Sequence, residues 1–475
     1  MRKIGNTLYW LLAVILFVMI CLRAYLIPIT HDESGQITYY AQFPIKDIFL
    51  YTNPWPTNHI FNSLLIKLCT AVLGISQISG RLPNIIFSLL SFLFAFKIAR
   101  ALSPTSFAFP LFSLCIFLLD PFLFDFFGLA RGYGLAIGFE LGAFYFLLLY
   151  LRSFRLTDLL ALGLCLFLMV LSNFSWLIVF TSVVAFVGFI ILLNRKYVHF
   201  IFALLILLLC AAVFYTPVMR MNETHQFVFW SSDGFYKDTV VSLWNDYKYG
   251  QPFSLLSTDA WIVLLYIPLI VALILAVRDL IKGRKMELDI PIILLVLTIV
   301  VNLAQHTLLG TPFLSTRTAL LYVPLYGFSL VSLLARTQYT LPKLSFGIGL
   351  SISIFMCFHF FSWISFKYVR EWWYDANTLD VLSVLQEVHE KEHTDIELNT
   401  MWIYNPSFSF YKQTNHLDWL TYVNTHKPEE APHKCRFYYT DFNTISGADI
   451  KGYKECRKYG YDRLLLVLDT DSIKK

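Results

Sequence analysis

An apolar run over residues 8–29 breaks at Thr30-His31-Asp32-Glu33-Ser34-Gly35-Gln36. The run is long enough to cross a bilayer, which takes about 20 apolar residues. Two adjacent carboxylates at its mouth are costly to place, and an ionisable group at or near bilayer depth marks a functional site by default. One role for such a pair is a general base with a partner that orients a substrate or ion. The competing reading is a solvated loop start, where acids are common. His31-Asp32-Glu33 could also touch a metal ion, but three consecutive residues rarely converge on one.

The rest of the chain places this stretch in a membrane protein. Of its 475 residues 57% are hydrophobic and 15% charged, against about 45–50% and about 25% in soluble domains. Forty-four Phe, 27 Tyr and 11 Trp suit lipid-facing surface and interfacial belts. The net charge of +5 makes no case for nucleic acid, because Lys and Arg sit in short clusters between apolar segments. Met1-Arg2-Lys3 before an apolar run resembles a signal peptide, but no small-x-small cleavage site follows, so the run reads as an uncleaved helix.

Eleven spans are expected, near 8–29, 83–101, 105–124, 128–151, 156–173, 176–193, 198–217, 258–278, 288–309, 316–335 and 342–364. Basic pairs recur at every second connection: Lys97/Arg100, Arg152/Arg155, Arg195/Lys196, Arg278/Lys282/Arg284/Lys285 and Arg336/Lys343. Read as positive-inside, they put the N-terminus in the cytoplasm and the C-terminus outside. The apolar segment 58–74 carries Asn62, Ser63 and Lys67 and would invert every later cluster if it spanned. It is therefore expected to lie in the interface or to re-enter.

This topology sorts the polar residues. The outer side receives loop 30–57, Arg81, the turn from Asp120 to Arg131, Asn173/Ser175, the long loop 218–257 and residues 306–317. Arg81, Arg131, Arg220 and Arg317 lie on the side that basic residues avoid. A guanidinium matches phosphate bidentately, so the set suits an anionic lipid headgroup; for each alone, snorkelling to lipid phosphate is the ordinary reading. His59, in Asn53-Pro54-Trp55-Pro56-Thr57-Asn58-His59, and His306 could contact a phosphate or shuttle a proton. Asp120 and Asp125 read most simply as helix-end acids paired with Arg131.

From about residue 368 the composition turns soluble. Residues 380–391 have helical spacing, while 396–404, 436–441 and 464–468 resemble strands. This gives two domains, a membrane domain over 1–367 and a small extracytoplasmic α/β domain over 368–475. Six of the eight cysteines lie in apolar segments. Cys435 and Cys456 do not, and could form a disulfide outside the cytoplasm or remain thiols.

In order, Asp32-Glu33, then Pro56-Thr57-Asn58-His59, Arg81-Leu82-Pro83, Ala130-Arg131-Gly132-Tyr133 and Arg317-Thr318-Ala319-Leu320-Leu321 resemble the GT-C superfamily of membrane glycosyltransferases. The likeness is greatest to the branch of aminoarabinose transferase and the protein O-mannosyltransferases, over about residues 1–335. It implies a GT-C-like fold and a sugar donor carried on polyprenyl phosphate. It implies Asp32 as catalytic base, Glu33 as its neighbour, and Arg81, Arg131 and Arg317 at the lipid phosphate. Tyr133 belongs to the Arg131 motif. The Pro pair that often follows the His in relatives is absent after His59. No cofactor is implied; a divalent metal is optional.

The expected function is transfer of a sugar from a polyprenyl-phosphate carrier to an acceptor hydroxyl on the periplasmic side of a bacterial inner membrane. The acceptor is a glycan, lipid or protein. Rival readings are a lipid-linked glycan flippase, a polysaccharide polymerase or ligase, and a membrane anchor for the C-terminal domain. A transporter would show midplane polar groups and repeated halves; here the polar groups gather on one side.

Overall fold

The structure, a computed structural model, describes residues 2–226, 233–251, 256–283, 287–425, 435–441 and 452–469. The first helix, α1 (Arg2–Leu26), ends before Pro28. Thr30 then caps α2 (His31–Thr38), with Glu33 closing the reciprocal capping box. A short α3 (Ile45–Leu50) follows.

Next come α4 (Ile60–Leu73) and α5 (Gln77–Leu102). At 14 residues α4 measures about 21 Å, short of the hydrocarbon core. Both its ends lie at the same end of the bundle. His59, before it, meets Tyr133 with ring centroids 5.4 Å apart. Gln77, after it, donates to the carbonyls of Ala24 (2.9 Å) and Ile27 (2.8 Å) at the end of α1.

The single helix expected over 105–124 is two, α6 (Phe109–Leu118) and α7 (Pro121–Asp125). The break falls at Asp120-Pro121, where Asp120 caps α7 by accepting from the backbone N–H of Phe122 (2.9 Å) and Leu123 (3.2 Å). The pairing of Asp120 and Asp125 with Arg131 is not seen. Asp125 instead pairs with Arg23 on α1, deep in the protein.

The bundle continues through α8 (Tyr133–Ser153), α9 (Leu156–Ser172), α10 (Leu177–Leu193) and α11 (Tyr197–Glu223). Within 218–257, expected as one long loop, α11 runs on to Glu223, and a π-helical turn at Tyr236–Val241 leads into α12 (Ser242–Tyr247). Then follow α13 (Thr258–Ile281), α14 (Ile290–Leu309), α15 (Tyr322–Thr340) and α16 (Pro342–Trp363).

Nine helices among the described residues are long and apolar enough to cross a membrane. The eleven expected spans are thus not all met on length: α6 has 10 residues and α9 has 17. α8 is the central column, 78% of its apolar stretch buried, whereas α11 and α13, at 11% and 17%, face outward. Basic residues cap the end away from Asp32, where Arg152 pairs with Glu287 and Arg336 with Asp279 and Asp289.

The C-terminal unit holds α17 (Thr378–Glu392), α18 (Asn405–Thr414) and a sheet of β1 (Ile396–Met401), β2 (Leu420–Thr425), β3 (Phe437–Asp441), β4 (Tyr453–Tyr459) and β5 (Arg463–Leu468). The order is β2-β1-β3-β5-β4. β1 runs parallel to β2 and β3, while β5 is antiparallel to β3 and β4. The strand expected to reach 404 stops at Met401, because Asn405-Pro406 starts a helix where proline's fixed φ fits. β4 escapes pattern reading because Lys454 to Lys458 are all exposed on an edge. Cys435 is buried and Cys456 exposed, and no disulfide joins them.

This unit sits on the first loop. Tyr411 on α18 receives the Ile29 N–H (2.8 Å) and donates to Gln77 (2.6 Å). Asp375 accepts from the His31 N–H (2.8 Å) and the Ser407 hydroxyl (2.8 Å). The Ser34 hydroxyl donates to the Pro406 carbonyl (2.6 Å).

Candidate active site

The two acidic neighbours face opposite fates. Glu33 points into the protein and is fully buried. Arg81 grips it bidentately, Nε to Oε1 at 2.8 Å and Nη2 to Oε2 at 2.6 Å. Glu33 also accepts from the N–H groups of Thr30 (3.1 Å) and Ala130 (2.6 Å). Arg81 spends its remaining donors on the carbonyls of Ala24 (2.9 Å), Ile27 (2.7 Å) and Pro28 (2.9 Å). Those carbonyls lie at or just past the end of α1, where no helical partner remains. Every polar atom of the Glu33–Arg81 pair is engaged. The pattern Thr-x-x-Glu at 30–33 is the sequence signal for this inward turn.

Asp32, one residue earlier, turns to a polar cluster and keeps 14% of its side chain exposed. Its Oδ2 lies 3.3 Å from Arg131 Nη2 and 3.5 Å from Arg317 Nη2. Neither contact is a hydrogen bond, and Oδ2 has no hydrogen-bond partner among the described residues. Burial pushes the carboxyl up, but Arg131, Arg317 and His31 outweigh it and hold Asp32 below the usual carboxylate range.

Arg131 enters from the turn before α8 and is 2% exposed. A Cβ on Gly132 would sit 1.8 Å from the Ser172 carbonyl, so only glycine lets the starts of α8 and the end of α9 meet here. Arg317 enters from the turn before α15 and pairs with Glu371. Trp372 lies beneath both guanidiniums, 5.9 Å from Arg131 and 5.1 Å from Arg317. Nε and Nη1 of Arg131 are buried and make no hydrogen bond.

His59 adds a third open position. It is 3% exposed, and its Nε2 has no partner. Burial, with Arg131 and Arg317 adding repulsion, drives its pKa well below the usual histidine value, so the ring is neutral at pH 7. Tyr133 packs between His59 and Trp176, whose ring centroid is 6.1 Å away. The Trp176 Nε1–H in turn donates to the fully buried Glu140 (2.8 Å).

Of the residues marked in the sequence, Asp32, His59, Arg131, Tyr133 and Arg317 thus come together, with Glu33 and Arg81 directly beneath. Arg220 and His306 do not join them by any contact among the described residues. Arg220 is half-buried on α11, and among the described residues its guanidinium makes no hydrogen bond or ion pair. His306 bonds the Thr311 carbonyl (2.7 Å) and stacks on Phe313 at 4.0 Å.

Sequence reading missed Glu371, Trp372 and Asp246. The first two follow the last membrane helix in sequence, where nothing but folding brings them to the first loop. Asp246, on α12, is 8% exposed with Oδ2 unpartnered. Burial pushes its carboxyl up to about 8, and Glu371 adds to the shift. A carboxyl with a raised folded pKa binds its proton better folded than unfolded, so its contribution falls as pH rises from about 4 to about 8. Asp246→Asn removes that dependence. Thermal melts in detergent are expected to show a stability gain that grows between pH 5 and 8 and then levels; a gain independent of pH would contradict this.

Among the described residues no cluster of three or more His, Cys, Asp or Glu side chains is disposed to hold a metal ion.

No protein-family model and no curated protein sequence matches the chain. The fold does have solved counterparts. The crystal structure of ArnT from Cupriavidus metallidurans in the apo state aligns with a TM-score of 0.55 at 10% identity, over 97% of each chain. The crystal structure of ArnT from Cupriavidus metallidurans bound to undecaprenyl phosphate aligns with a TM-score of 0.48 at 10% identity, again over 97% of each. The apo comparison shows that the two chains share a fold from the first helix through the C-terminal unit, beyond the residues 1–335 that the sequence resemblance covered.

Proposed function

We propose that this protein is a glycosyltransferase that moves a sugar from a polyprenyl-phosphate carrier to an acceptor hydroxyl, at the periplasmic end of the bundle. The observation that carries the reading is the set of buried, unpartnered atoms around Asp32: its Oδ2, Nε and Nη1 of Arg131, and Nε2 of His59. Buried polar atoms are rarely left unpaired in a finished structure. Donors and one carboxylate converging on the same space suit a substrate with an anionic leaving group and a proton to lose.

The step balances on these groups. The acceptor O–H gives its proton to Asp32 as the oxygen bonds to the anomeric carbon. The bond from that carbon to the carrier phosphate breaks, and its electron pair stays on the phosphate oxygen. Arg131 and Arg317 face the charge that develops there, in a setting where burial strengthens their effect. The open Nε2 of neutral His59 supports a hydrogen bond from this ring to the phosphate or the sugar. The depressed pKa of Asp32 makes it a weaker base but keeps it ionised, and so able to accept a proton, near neutral pH.

The test uses purified protein in liposomes, radiolabelled polyprenyl-phosphate sugars and a membrane extract as acceptor. Transfer of label supports the reading. Movement of labelled lipid between leaflets without transfer would hand the case to the flippase.

Arg131→Lys gives a more local expectation. Lysine keeps the charge but cannot present Nε and Nη1 together. The donor KM is expected to rise about tenfold or more. An unchanged KM would remove Arg131 from the donor site.

A further inference from the structure

We propose that Glu371 is an internal stand-in for the carrier phosphate, which occupies Arg317 in the empty site and competes with the lipid phosphate for it. The inference rests on the polyprenyl-phosphate reading above and adds to it a device that releases the product.

Arg317 is the accessible cation of the pair, with 30% of its side chain exposed against 2% for Arg131. Its Nη1 is held by Glu371 and its Nη2 faces Asp32 at 3.5 Å. Glu371 makes no other hydrogen bond among the described residues. The backbone around it is pinned on both sides. The Arg370 N–H donates to Asp125 (2.7 Å), and Asp375 holds the His31 N–H (2.8 Å). The Glu371 side chain can therefore leave Arg317 by rotation alone, without movement of the segment.

Charge sets the two in competition. Asp32 and Glu371 together balance the charges of Arg131 and Arg317. A sugar phosphodiester brings one more negative charge, and it must compete with Glu371 for Arg317. Transfer moves a proton to Asp32 and converts the diester to a monoester carrying close to two charges. When Asp32 returns its proton to water, three anionic groups surround two arginines. Glu371 then competes for Arg317 against a phosphate that Asp32 also repels, and the product leaves.

The experiment compares wild type with Glu371→Gln, each full length in nanodiscs. It measures binding of undecaprenyl phosphate and of uncharged undecaprenol, then steady-state transfer. Removing one negative charge about 5 Å from a bound phosphate is worth about tenfold or more in affinity, even with strong screening. Glu371→Gln is expected to bind undecaprenyl phosphate about tenfold tighter with undecaprenol binding unchanged. Inhibition by the lipid phosphate should strengthen by the same factor, and kcat should fall.

Glu371→Asp keeps the charge but reaches less far, and should tighten binding by a smaller factor. It gives the same sign if the glutamine protein does not fold. Weaker or unchanged lipid-phosphate binding in either variant overturns the proposal, because a glutamate that merely orients Arg317 would lose affinity when removed. A wild type that prefers no phosphate lipid and transfers no sugar counts against the glycosyltransferase reading instead.

Discussion

Asp32→Asn is expected to lower sugar transfer about a thousandfold while lipid-phosphate binding is retained. Asparagine matches aspartate in size, but its amide cannot take the acceptor proton, and a positioned base contributes about 10²–10⁴ in rate. Binding should hold or tighten, because the substitution removes a negative charge 3.3 Å from Arg131 and 3.5 Å from Arg317. The two readouts together separate a base from a structural anion. Loss of both would make Asp32 a partner of the arginines and nothing more. Transfer within tenfold of wild type would remove it from the chemistry.

The pH dependence follows from the same geometry. The Asp32 pKa is depressed in the folded protein. Its ionised form, and the stability it lends, are present above the unfolded carboxylate range and are lost only as pH falls through the lower folded value. No decline assignable to Asp32 is expected between pH 5 and 8.

The second large effect concerns stability. Glu33→Gln leaves Arg81 buried without a counter-charge, and breaking a buried ion pair from one side costs about 3–5 kcal/mol. Arg81→Ala strips Glu33 of its bidentate partner and also abandons the carbonyls of Ala24, Ile27 and Pro28. Both variants are expected to lose most of their folded yield, measured by size-exclusion monodispersity and melting temperature in detergent. Whatever Glu33→Gln protein survives should keep more activity than Asp32→Asn. A Glu33→Gln protein as stable as wild type, yet as inactive as Asp32→Asn, would make Glu33 the base.

These two predictions show where sequence reading reached its limit. Asp32 and Glu33 are adjacent carboxylates with the same surroundings in one dimension. The first turn of α2 sends them in different directions, one to Arg81 and the backbone, the other to Arg131 and Arg317. The capping pattern at Thr30 carried a hint of this, because a glutamate three residues after a capping threonine commonly folds back on the backbone. Nothing local could show that the last carbonyls of α1 would find their donors on α5.

The arginines were legible for a different reason. Arg131 and Arg317 stood against the charge bias of the predicted topology, and that conflict is visible in sequence. Arg220 met the same criterion and stands outside the contacts of the cluster among the described residues. Side of the membrane is a property of topology, whereas place within that side is a property of packing.

By itself, the sequence determined the class of the protein. Apolar runs of bilayer length can only be satisfied as helices when water is absent. It also carried the order of polar motifs that resembles GT-C enzymes, and the fold agrees with that resemblance. Tertiary structure alone decided which polar atoms are finished and which are open. Glu33 and Arg81 complete one another; Arg131, His59 and Asp32 do not. It alone brought Glu371 and Trp372, through Arg317, beside Asp32 of the first loop, more than 300 residues away in sequence. Hydropathy is a sum over neighbours in the chain, and the state of a buried charge is set by neighbours in space.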